Sequence, residues 1–214
     1  MDDLKTLLTI AIGISLINNM VLARFLGLCP FIGVSKKISS AVGMGIAVVF
    51  VMAMTSVVTW LLYVYLLLPG DKNILGRFSA YIAQNGLVEV LRTTSYILVI
   101  AVMVQLVEMV MKKNTPALYR ALGIYLPLIT TNCCVLGVAL LNTTDARTPL
   151  TLLQATVQGT FGGVGFMIAL LLMAGIREQL DTADIPKCFQ GMPIAFICTS
   201  LMALAFMGFL GMAQ

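Results

Sequence analysis

Six stretches of this chain run without Asp, Glu, Lys or Arg for most or all of a bilayer's width, and that pattern constrains the fold more than any motif. A helix needs about 20 apolar residues to cross the hydrocarbon core. Thr6–Ala23 carries no charge, and its apolar character continues past Arg24 to Leu28. Ile38–Gly70 is uncharged and ends at Pro69-Gly70. Thr93–Val107 is followed by Glu108 and then by Met109–Met111 before a Lys112-Lys113 stop. Ala121–Thr144, Thr148–Ile176 and Cys188–Gln214 complete the set. Soluble domains carry about 25% charged residues; here the share is 10% of 214, with a mean hydropathy of +1.01. A soluble enzyme, a secreted disulfide scaffold and a disordered chain are excluded. The expectation is an all-α integral membrane protein, one membrane domain over residues 1–214 with six transmembrane helices. The N-terminus opens on Asp2-Asp3 rather than a basic segment, so the first run reads as a span and not as a cleaved signal.

The basic residues orient these spans. Lys36, Lys37, Lys112, Lys113, Arg120, Arg177 and Lys187 fall on one side, and Lys5, Lys72, Arg77, Arg92 and Arg147 on the other. By the positive-inside rule the first group is cytoplasmic and both termini lie outside. The net charge of +4 is spread along the chain without a basic block, so nucleic acid has no foothold. The chain has no His, which removes His bases, His-ligated zinc and bis-His haem. One sizeable connection remains, Gly70–Arg92, which reads equally as a short interfacial helix or as a partly ordered loop.

The chain repeats itself. Cys29-Pro30-Phe31-Ile32-Gly33-Val34 matches Cys133-Cys134-Val135-Leu136-Gly137-Val138 at an offset of 104 residues. The same offset carries the second span onto the fifth and the third onto the sixth. Each unit, about 1–111 and about 112–214, then holds three spans, an odd number, so the second enters the membrane from the opposite side. Both copies sit where a helix should break. Pro30 lacks an N–H and its ring crowds the Leu26 carbonyl, with Gly27 and Gly33 flanking it. In the second copy Pro127 precedes the polar run Thr130-Thr131-Asn132. Broken helices persist within a bilayer only where protein or a site satisfies their backbone.

Five cysteines follow: Cys29, Cys133, Cys134, Cys188 and Cys198. A membrane cysteine is ordinarily a small apolar packing residue, and Cys198 reads that way. Cys188 falls in a cytoplasmic loop and is given no role. Cys29 and Cys133 differ because the repeat equates them, and a midplane axis brings such positions face to face. Two thiolates there bridge as a disulfide or ligate a soft metal. Iron–sulfur clusters take four Cys thiolates, so two ligands here imply two from another chain. Cys134 corresponds to Pro30 and lies about 100° round a helix from Cys133.

The stretch Asn18–Lys37, around Arg24-Phe25-Leu26-Gly27-Leu28-Cys29-Pro30-Phe31, resembles the A-type membrane subunits of Rnf (also called Rsx) complexes. So do Leu118-Tyr119-Arg120 through Thr130-Thr131-Asn132-Cys133, Val135–Asn142, Ile176-Arg177-Glu178 and the Met202–Gly208 tail. The related E-type subunit of the Na+-translocating NADH:quinone reductase has Thr after the first Cys, and Pro30 here favours Rnf. Relatives can carry Ala where this chain has Cys134.

The resemblance implies an electron-relay subunit of an ion-translocating ferredoxin:NAD+ oxidoreductase in the bacterial cytoplasmic (inner) membrane. It implies one [2Fe–2S] cluster, ligated here by Cys29 and Cys133 and shared with a paralogous E-type six-span subunit that supplies two more Cys. Rnf subunits of the B, C, D and G types complete the complex, and no substrate site is expected on this chain alone. Translocation of Na+ or H+ would then involve carbonyls freed at the breaks and the oxygens of Asn18, Asn19, Thr130, Thr131 and Asn132. The alternative for those oxygens is that they satisfy broken backbone. Arg24 either offsets negative charge at the cysteines or extends its head to the interface. A self-contained inverted-repeat solute transporter, its two Cys merely packed at the breaks, is the alternative from a different class.

Overall fold

The computed structural model describes residues 2–67, 88–114, 126–144 and 151–210, and every regular element among them is helical. We number the α-helices α1 (Asp2–Ile12), α2 (Leu28–Val34), α3 (Ile38–Leu62), α4 (Val88–Asn114), α5 (Leu126–Thr130), α6 (Cys133–Thr144), α7 (Leu152–Asp181) and α8 (Met192–Leu210). A π-helical turn, Gly13–Ile17, continues α1, and another, Tyr63–Leu67, continues α3. Four segments are long and apolar enough to cross a membrane: Ile38–Tyr65, Thr93–Val110, Leu152–Asp181 and Met192–Phe209. Of two shorter apolar segments, Leu4–Ile17 overlaps the first uncharged run and Leu128–Thr143 falls within the fourth. Most of the Gly70–Arg92 connection lies outside the described residues, which resume in α4 at Val88.

The core is the pairing of α3 with α7, the most extensive helix contact in the chain. The two run antiparallel. A side chain at Gly163 would meet the Val49 backbone at 2.7 Å, and one at Gly159 would meet Ser56 Cβ at 2.5 Å, while Gly45 lies under Met167. Small residues at this spacing let two helix backbones approach, which replaces the hydrophobic drive that lipid removes. Met44, Val48, Val51, Met52, Phe166, Leu170 and Met173 fill the seam at 0–1% exposure.

The other face of α7 receives the first broken span. Gly165 leaves room for the π-helical turn, since a Cβ there would lie 2.8 Å from the Ser15 carbonyl oxygen. At the far end of α7, two adjacent side chains hold the next elements. Arg177, only 9% exposed, donates to the Ile32 carbonyl at 2.7 Å and to Ser35 Oγ at 3.0 Å, closing the end of α2. Glu178 accepts the Ile38 N–H at 2.9 Å and caps the start of α3. α4 and α8 pack on this core through Ile100, Val104, Ala195 and Met202 and present other large apolar side chains outward, among them Leu98, Met109, Leu201 and Leu204.

The first break differs from the sequence expectation. Pro30 does not interrupt a helix; it occupies the third position of α2, and the irregular backbone lies upstream, over residues 18–27. Proline costs little in a first turn, where its missing N–H has no intrahelical acceptor. The first α2 bond runs from the Phe31 N–H to the Gly27 carbonyl at 3.3 Å. The second break falls where the polar run placed it, at Thr131-Asn132 between α5 and α6.

Candidate functional site

The two breaks meet, and each leaves a cysteine in the first turn of the helix that follows it. The first is shaped by Asn19. Its Nδ2 donates to the Ser15 carbonyl at 3.0 Å and to the Gly165 carbonyl at 2.8 Å. Its Oδ1 accepts the Val21 N–H at 3.0 Å and the Leu22 N–H at 3.4 Å. One fully buried amide thus satisfies backbone on both sides of the break and ties it to α7. The chain then turns through two left-handed residues, Phe25 (φ 55°) and Gly27 (φ 82°). For a bulky residue such as Phe25 that conformation is strained; it leaves the ring 52% exposed.

Gly27 is where the breaks touch. A Cβ at this position would lie 2.6 Å from Asn132 Oδ1, 3.2 Å from Cys134 Cβ and 3.2 Å from the Phe166 ring. Asn132, 3% exposed, accepts the Cys134 N–H at 3.0 Å and so caps α6. Its Nδ2 makes no hydrogen bond. Leu26 packs over Gly137, completing the contact between the two segments.

The thiols divide sharply. Cys29 and Cys133 are both exposed, and Cys134 is fully buried against Gly27. All described cysteines are free thiols. Among the described residues no group of three or more His, Cys, Asp or Glu stands together. The donor set is therefore two accessible thiols, each in the first turn after a break, which fits half of a four-thiolate iron–sulfur ligand set.

The candidate oxygens separate too. Asn19 and Asn132 are buried and bonded to backbone as just described. Asn18 is exposed and ends the π-helical turn, its N–H reaching the Gly13 carbonyl at 2.7 Å. Thr130 is half-buried and Thr131 exposed. Asn18 and Arg24, with Thr9, Gly13, Leu141 and Gln158, border an open cavity of about 330 Å³ beside the first break. The structure thus brings Asn132 to the crossing with the Cys29 segment and sets Asn18 apart on the cavity wall. Sequence reasoning missed the roles of Arg177 and Glu178. Their signal was an adjacent charge pair at the end of an uncharged span.

The Rnf-Nqr family, described as "Rnf-Nqr subunit, membrane protein", matches residues 7–213. The chain belongs to this family, in its Rnf A-type branch. It is 50% identical over 207 residues to the A-type subunit of the ion-translocating oxidoreductase complex of Serratia proteamaculans, covering 97% of each chain. It is 48% identical to the A-type subunit of the Na(+)-translocating ferredoxin:NAD(+) oxidoreductase complex of Acetobacterium woodii, covering 97% of this chain and 98% of that one. The corresponding subunit of Syntrophotalea carbinolica is 48% identical over 209 residues, 98% of both. The motifs that carry the resemblance therefore sit within a similarity that runs almost end to end.

Proposed function

We propose that this chain is the A-type electron-relay subunit of an ion-translocating ferredoxin:NAD+ oxidoreductase, holding half of a [2Fe–2S] ligand set through Cys29 and Cys133. The observation that carries this reading is the exposure of those two thiols at the meeting point of two broken helices, with Cys134 buried beneath. A bound cluster supplies one-electron transfer between the redox centres on either side of the membrane. The chain's own residues fix the two thiols. Asn19 anchors the segment leading to Cys29, Asn132 caps the helix that starts at Cys133, and Gly27 lets the segments touch. Phe25 adds an apolar surface near Cys29 for the paralogous E-type subunit that brings the other two Cys.

In this reading the two short broken segments join the four long helices as six spans. The antiparallel pairing of α3 with α7 supports two inverted units, about 1–111 and about 112–214. Both termini face outward from the bacterial cytoplasmic membrane, and B-, C-, D- and G-type subunits carry the nucleotide, ferredoxin and flavin chemistry. The coupled ion is Na+ or H+.

The test is to co-express the chain with its E-type partner and record iron content and the EPR spectrum of the reduced pair. The expected result is a [2Fe–2S] signal lost in Cys29→Ala and in Cys133→Ala and retained in Cys134→Ala. A folded pair without iron would return the chain to the solute-transporter reading.

A further inference from the structure

Where α3, α6 and α7 meet, away from the cysteines, a buried polar cluster has two oxygens left over. Thr55, Ser56 and Thr59 lie at helical spacing on one stripe of α3, at 0–2% exposure, and α6 brings Asn142 to it, 2% exposed. Ser56 Oγ donates to the Ala155 carbonyl at 2.6 Å. Asn142 Nδ2 donates in turn to Ser56 Oγ. With the Ser56 proton committed to Ala155, the Asn142 amide must present its nitrogen to Ser56. Its Oδ1 then points elsewhere and makes no hydrogen bond.

Thr55 is the second case. Helical threonines commonly return their hydroxyl proton to the carbonyl one turn back, and Thr59, Thr156, Thr160 and Thr199 do so here. Thr55 Oγ1 makes no hydrogen bond, although it is wholly buried. An oxygen left without a partner in a protein interior is costly, and lipid offers no substitute for the missing partner. No Asp, Glu, Lys or Arg occurs in α3, in α6 or in α7 before Arg177. An anion finds no charge to pair with there, and a cation meets none that repels it.

We infer that Asn142 Oδ1 and Thr55 Oγ1 are ligands of a small monovalent cation, Na+ first, at a site made of uncharged oxygens. Broken-helix transporters hold Na+ largely with uncharged backbone carbonyl oxygens, and a side-chain hydroxyl and amide oxygen offer the same uncharged donor chemistry here. The inference extends the ion coupling proposed above, whose orientation puts the cluster in the outer half of the membrane, and it is independent of iron.

Binding of radiolabelled Na+ to the purified, assembled complex in nanodiscs tests it. Thr55→Val and Asn142→Leu are each expected to weaken one class of Na+ site by about tenfold or more. Thr59→Val, whose hydroxyl is used within its own helix, leaves that class unchanged. The EPR signal of the same samples reports assembly separately. If Asn142→Leu does not assemble, Thr55→Val decides alone. Wild-type Na+ affinity and stoichiometry in an iron-loaded Thr55→Val complex would overturn the inference and leave a bound water as the occupant. Loss of iron from the wild-type complex with the Na+ difference intact would overturn the electron-relay reading and leave this one standing.

Discussion

The α3–α7 seam and the crossing of the two breaks are built in opposite ways. The seam is regular and held mainly by shape, with glycines and alanines of one helix lying under the side chains and backbone of the other and one Ser56–Ala155 hydrogen bond across it. The crossing is irregular and held by polar groups, chiefly two asparagine side chains that take over bonds the helices gave up. The difference teaches that regular backbone suffices for a scaffold, because its polar groups pair internally. Placing an exposed thiol in the first turn after each break requires interrupted backbone, and each interruption needs its own buried partner. The seam should therefore fail by losing the fold, and the crossing by losing the site.

The largest expected effect is on the seam. In Gly163→Leu even the first added carbon would fall 2.7 Å from the Val49 backbone, which cannot swing aside as a side-chain tip would. Overpacking costs about 1–3 kcal/mol at ordinary core sites and more against backbone. Folded, detergent-extractable chain should fall severely and lose its cooperative melt. A variant with wild-type yield and melting temperature would mean that α3 and α7 can separate without cost, against the seam's structural role.

At the crossing the effect should be smaller in stability and larger in chemistry. Gly27→Ala puts a Cβ on a left-handed residue, a cost of about 1–2 kcal/mol, and against Asn132 Oδ1 at 2.6 Å. The chain should still assemble, with iron content of the complex lowered together with the EPR signal. Full iron with an unaltered spectrum in Gly27→Ala would separate the crossing from the cysteines' function.

Arg177 links the two regions. It reaches from the end of α7 to the Ile32 carbonyl and to Ser35, so it holds the far end of the helix that begins next to Cys29. Arg177→Met keeps the long stem and removes both bonds. Hydrogen bonds from charged donors contribute about 1.5–3 kcal/mol. The melting temperature should fall moderately, and faster hydrogen exchange should be confined to α2 and the start of α3. Uniform protection across α2 would show that α7 does not hold it.

How much of this is legible in the sequence depends on how local each cause is. Four of the uncharged runs are legible as single long apolar helices, because exclusion of charge from lipid acts on every residue. The split between Cys133, exposed, and Cys134, buried, is legible because adjacent helical residues are turned about 100° from one another. Pro30 misleads because a proline breaks a helix only from its interior. Whether it lies in an interior or a first turn depends on where the helix starts, and Asn19 sets that through a bond to Gly165, 146 residues away. Arg177 enters the sequence reading as one cytoplasmic charge among seven and Glu178 only within a resemblance, and neither is given a packing role, since their partners lie on α2 and α3. Thr55, Ser56 and Asn142 escape notice because isolated hydroxyls and amides in apolar runs look like ordinary packing. Only the tertiary bonds reveal which oxygen is left over.

The smallest prediction tests the contrast within α7 alone. Gly175 lies on the same helix as Gly159 and Gly163, and a Cβ there would meet nothing within 4 Å. If the seam glycines are present for close approach, Gly175 has no such reason, and it only adds flexibility to the unfolded chain. Gly175→Ala should then stabilise the chain by about 0.5–1 kcal/mol, raising the melting temperature of the assembled complex slightly and leaving iron content as it was. Destabilisation by Gly175→Ala would mean that this stretch of α7 also carries a close neighbour, a partner protein for instance. The boundary between scaffold and interface would then lie nearer the Arg177 end than the exposure of this chain indicates.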